Sequence, residues 1–157
     1  MASDDAAALV TFAEKQLEEK RWRDVVALAD RAKAVDKGGK QAAKIKALRE
    51  AVDKEAGPKS KALEKAIAAA KDDSWVADFT AFRTDFEFSE AAKPVMAAHA
   101  KLRASHEKPG EELFFAARKD FNSDKEADGY KKCEELVAKF YACSYYRYAK
   151  GWLKNRK

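Results

Sequence analysis

Apolar residues recur at helical spacing in every segment of the chain, and the stretch 6–37 shows it most plainly. There Leu9, Phe12, Ala13 and Leu17 form one stripe, and Val25, Leu28, Ala29, Ala32 and Val35 form a second after Arg21. Each stripe is narrow, so the two helices need one another to be stable. Ser3 is placed to cap the first, with Asp4 and Asp5 in its first turn. Further on, Ile45, Leu48 and Val52 face Leu63 and Ile67, with Gly38-Gly39 opening this segment and Gly57-Pro58 turning it. Asp72-Asp73-Ser74 caps a heavier helix striped by Trp75, Phe79, Phe82 and Phe86. Ser89 caps the next, with Pro94 near its first turn. The polar stretch 103–110, ending in Pro109-Gly110, reads as a break before a helix carrying Leu113, Phe114, Ala117 and Phe121. Residues 122–128 are the least structured by composition, and a last helix from Ser144 has Tyr145, Tyr148, Ala149 and Trp152 on its stripe.

Leu9, Phe12, Ala13, Gln16, Trp22, Val25, Ala29 and Ala32 fall where tetratricopeptide-type repeats favour large and small packing residues, and 6–37 resembles such a repeat without a gap. Gln16 and Lys37 depart from that pattern. A second copy reads Trp75, Phe79, Phe82, Phe88, Ala91, Val95 and Ala98, with Asp78 and Phe79 as departures. A third step runs from Tyr130 to Cys133 and on through Val137 and Phe140. The resemblance implies an all-α fold of about nine helices: four antiparallel hairpins in a right-handed superhelix, at about 4–36, 40–71, 74–103 and 110–141. A C-terminal helix at 144–155 then covers the last hairpin. It also implies a groove on the first helix of each hairpin that takes a peptide or protein. The groove positions are Val10, Glu14, Leu17 and Glu18 in the first hairpin, and Val76, Thr80, Arg83 and Thr84 in the third. Only Arg83 suits a clamp on a terminal carboxylate, so a mixed or basic partner fits the acidic first hairpin better.

The charge changes this picture only at one end. The net charge of +5 sits in 144–157, where Arg147, Lys150, Lys154, Arg156 and Lys157 meet no acid, while 1–143 balance 27 bases against 27 acids. Beside the tyrosines these cations suggest a second reading, a helix that stacks bases and binds phosphates. Against it, cations belong at a helix C-terminus, the tyrosines lie on the packing stripe, and no nucleic-acid motif is present. A third reading is a helical accessory segment of a larger bacterial-type assembly.

The chemistry of catalysis is missing from the pattern. His99 and His106 are the only histidines and have no metal spacing. Acid pairs at Asp4-Asp5, Asp72-Asp73 and Glu111-Glu112 stand at helix starts, where the dipole explains them. No phosphate loop or nucleophile motif occurs, so neither an enzyme nor a cofactor is expected. Cys133 and Cys143 read as buried thiols, or as a bridge if the compartment is oxidising. The short apolar runs predict no membrane insertion. The acidic start predicts a cytoplasmic protein, or an exported one if a leader lies outside this sequence.

Overall fold

A computed structural model of the chain describes residues 5–156. Among them are seven α-helices, one 3₁₀ turn and no strand, so the all-α expectation holds and the count of about nine does not. The helices are α1 (Ala6–Glu18), α2 (Trp22–Val35), α3 (Ala42–Ala69), α4 (Val76–Phe86), α5 (Lys93–Phe121), α6 (Glu126–Lys139) and α7 (Tyr146–Lys154), with the 3₁₀ turn Glu90–Ala92 before α5. Ser3 and Asp4 lie outside the described residues; the cap observed on α1 is Asp5, whose carboxylate accepts from the Ala7 N–H. Among the described residues no helix is long and apolar enough to cross a membrane.

The reduced count has one cause, repeated. The expected hairpin at 40–71 is a single helix, because Gly57-Pro58 does not turn the chain. Ile45, Leu48, Val52, Ala56, Ser60, Leu63 and Ile67 are all buried, an unbroken stripe with Pro58 exposed on the other side. That stripe outweighs the hydrogen bond a proline cannot make. The expected break at 103–110 is likewise helical, so the hairpins at 74–103 and 110–141 do not form as separate units. Val95, His99, Leu102, His106, Gly110, Phe114, Ala117 and Phe121 carry its buried or half-buried face straight through Pro109. His106 and Gly110 hold stripe positions, where an apolar pattern does not count them.

The chain divides into two compact units, one made of residues up to Lys65 with Ala77–Met96, the other of Ala66–Val76 with residues from Ala97 onward. In the first unit α1 packs on α2 across a tight turn whose Lys20 has φ +56°. Trp22 is only half-buried, its ring stacked on Phe86 at 5.8 Å. Glu14 pairs with Lys44 at 3.5 Å, and Asp30 with Arg49. Ser89 caps the 3₁₀ turn, and Asp53 accepts from the Ala91 N–H at 3.0 Å. Phe12, expected in the packing stripe, is 63% exposed; Leu9, Val10, Ala13 and Gln16 form the buried face of α1 in its place.

In the second unit α6 packs on α7, and Trp75 is buried with its ring edge-on to His99 at 5.6 Å. The link 140–145 is tied to one face of α5 by three side chains a turn apart. Arg103 donates to the Ser144 hydroxyl at 2.8 Å, Glu107 accepts from the Ser144 N–H at 3.2 Å, and His106 Nδ1 accepts from the Ala142 N–H at 3.3 Å. Tyr141 donates its hydroxyl to the Ala70 carbonyl at 2.7 Å. The Cys143 side chain occupies the space a Cβ on Gly110 would fill, with Sγ 2.5 Å from that position. A helical glycine in α5 is therefore a packing requirement.

Candidate functional site

The groove positions read from the sequence are placed as follows. Val10 is 1% exposed and belongs to the core. Glu14 and Leu17 are half-buried and Glu18 exposed along α1. Val76 is half-buried at the start of α4, and Thr80, Arg83 and Thr84 are exposed along it. Arg83 is engaged by Glu87 at 2.8 Å, and the Thr84 hydroxyl donates to the Thr80 carbonyl of its own helix. A recess of about 290 Å³ in the same unit is lined by Lys33, Asp36, Ile45 and Arg49, among others. Its polar groups are largely spoken for, since Asp36 accepts from the Gln41 N–H and Arg49 pairs with Asp30.

A different surface stands out in the second unit, where the C-terminal ends of α5 and α7 meet the start of α6. Arg118, Phe121, Asn122, Tyr130, Trp152 and Asn155 line an open cleft of about 370 Å³. Three rings make its apolar wall. Phe121 meets Tyr130 at 5.0 Å and 71°, and Trp152 at 5.1 Å and 87°, the edge-to-face geometry that the ring quadrupoles favour. Gly129 makes this possible. A Cβ there would lie 2.7 Å from the Phe121 ring, so α6 closes on α5 only with glycine at that position. Lys132 and Asp120 pair beside the wall and hold the two helices together.

The wall continues beyond the cleft. Trp152 stacks on Phe114 at 4.8 Å and 17°, and Tyr145 stacks on the same ring at 4.7 Å and 22°. Phe115 and Tyr148 flank this stack, at 5.6 and 6.1 Å from Phe114, and are 45% and 64% exposed. Of the expected stripe of the terminal helix Ala149 is buried and Tyr148 is not; Tyr146 is the other buried residue. Tyr146 faces inward beside Lys150, whose ammonium donates to the Tyr146 hydroxyl at 3.0 Å and to Asp73 at 3.1 Å, and these partners raise its pKa.

The polar rim holds two arginines, one of them paired with an acid. Arg156 lies over the Tyr130 ring at 4.9 Å and pairs with Glu134 at 3.0 Å. Arg118 lies in the last turn of α5, Asn122 directly follows that helix, and Asn155 caps the end of α7. Among the described residues no side-chain hydrogen bond or ion pair engages Arg118, Asn122 or Asn155. Phe121, Tyr130 and Trp152 were legible only as packing residues, and Arg118, Asn122 and Asn155 were not singled out. The available signal was the excess of aromatics around one short terminal helix.

Catalytic and metal chemistry find few candidates. Cys133 and Cys143 are both buried and free, and burial pushes both thiols above their usual pKa, away from the reactive thiolate. Among the described residues no three His, Cys, Asp or Glu side chains converge. Comparison with protein-family profiles, curated proteins and solved structures finds no match to the chain.

Proposed function

We propose that this chain is a non-catalytic interaction module that binds a protein partner, built from helical hairpins in the manner of tetratricopeptide-type arrays. Its contact surface is the aromatic side of the second unit. One observation carries this reading: the ring-walled cleft is joined through Trp152 and Phe114 to the exposed Phe115 and Tyr148. Contiguous exposed aromatics mark binding surfaces, and Tyr, Trp and Arg dominate the energetics of protein contacts. The α1/α2 hairpin supports the kinship, whereas the unbroken α3 and α5 depart from a regular repeat.

The phosphate-binding alternative is weakened by where the terminal cations go. Lys150 answers Asp73 and Arg156 answers Glu134, so two of the five basic residues are engaged within the unit, while Lys157 lies outside the described residues. The test is affinity capture from the cells that make the protein, comparing the parent with Phe115→Ser/Tyr148→Ser and with Phe12→Ser. All three positions are exposed, and circular dichroism checks that each variant keeps its helices. A partner kept by the parent and Phe12→Ser but lost by the double variant supports the reading. A partner that the double variant keeps, or a nuclease-sensitive one released by moderate salt, overturns it.

A further inference from the structure

Resting on that reading, we infer that the cleft takes an aromatic side chain of the partner lying next to an acidic residue. Size comes first. At about 370 Å³ the cleft is near the small end of ligand sites, with room for one ring and a short neighbouring group. Phe121, Tyr130 and Trp152 are already locked edge-to-face, so a ring entering between them meets an ordered wall.

Charge comes next, and two effects compete. Both α5 and α7 end at the cleft, and helix carbonyl ends attract cations. Aromatic faces do the same. The chain supplies those cations itself, with Arg156 already over Tyr130 and Arg118 on the rim. A further cation would meet Arg118, which has no ion-pair partner among the described residues, whereas Arg156 is answered by Glu134. A carboxylate instead finds the planar guanidinium fork of Arg118, which suits two-point recognition, with the Asn122 and Asn155 amides as further donors. Among the described residues no acid forms an ion pair with Arg118.

Three capped dipeptides that differ only in charge test this: N-acetyl-Asp-Phe-amide, its Asn-Phe isostere and its Lys-Phe counterpart. Each is titrated into the full chain while the Trp152 indole N–H is followed by NMR, assigned with Trp152→Phe. The expected affinities are millimolar, as for any ligand this small. Asp-Phe should bind roughly fivefold more tightly than Asn-Phe, the scale of an exposed ion pair, with Lys-Phe weakest. Arg118→Gln should erase the advantage of Asp-Phe and leave Asn-Phe unchanged, with the rest of the spectrum intact. Equal binding of Asp-Phe and Asn-Phe, or preference for Lys-Phe, overturns the inference and leaves the aromatic docking surface standing. No movement of the Trp152 resonance with any of the three overturns it too. The capture experiment with Phe115 and Tyr148 judges the broader reading separately.

Discussion

At the scale of single residues, the least conspicuous side chains set the geometry. Gly129 sits in a helix, where alanine is ordinarily preferred by about 1 kcal/mol. Here the Phe121 ring fills the space of the missing Cβ. Gly129→Ala should therefore destabilise the protein by about 1–3 kcal/mol through overpacking, as chemical denaturation would measure. A gain in stability would mean that Phe121 does not stand against α6. The tryptophans make a graded pair. Trp75 is buried, and its loss to Ala should cost about 3–5 kcal/mol. Trp22 is half-buried against Phe86 and should cost clearly less. Equal costs would contradict the burial described. Spacing alone does not separate these two residues, because helical register places a side chain on a face without saying how much covers it. The same gap explains Phe12, whose position on the α1 stripe is right by period and exposed in fact.

At the scale of elements, glycine and proline were the misleading letters. They are turn signals when the face around them is polar, yet in α3 an unbroken buried stripe runs past them. This yields a sharp test. A proline inside a helix costs about 3 kcal/mol, part of which returns through the stiffer unfolded chain. Pro58→Ala should stabilise by about 1–2 kcal/mol, and Gly57→Ala, whose Cβ meets nothing within 4 Å, by roughly 0.5–1. Loss of stability in both would restore the turn. The link before α7 carries a pH dependence. His106 Nδ1 accepts from the Ala142 N–H, and desolvation lowers its pKa below the usual 6.5. The folded protein thus favours neutral His106, and between its lowered pKa and 6.5 the unfolded chain binds more protons. Stability should be fully present above 6.5 and fall as the pH drops through that window. Phe140, Tyr141, Glu107 and Arg103 surround the link, and of these only Glu107 titrates in acid, with its own pKa lowered by bonds to Ser144 and Arg103. His106→Gln keeps an acceptor for Ala142 and should flatten the slope. An unchanged slope would place the proton elsewhere.

For the whole molecule, helical class and the hairpin at 6–37 were readable from periodicity, while the cleft was not. Its members come from three helices, and no single-helix pattern reports which ends converge. The proposed function rests on the surface that convergence leaves open: rings ordered by one another, a rim of two arginines and two amides, and flanking aromatics facing solvent. The most direct measurement is site-specific photo-cross-linking in the cells that make the protein, with benzoylphenylalanine placed at position 115 or at position 12. Both sites carry exposed phenylalanine, and benzophenone keeps a ring at each. The account predicts a discrete protein adduct from position 115 and none of that species from position 12. Adducts from position 12 alone, or none from position 115, would contradict it.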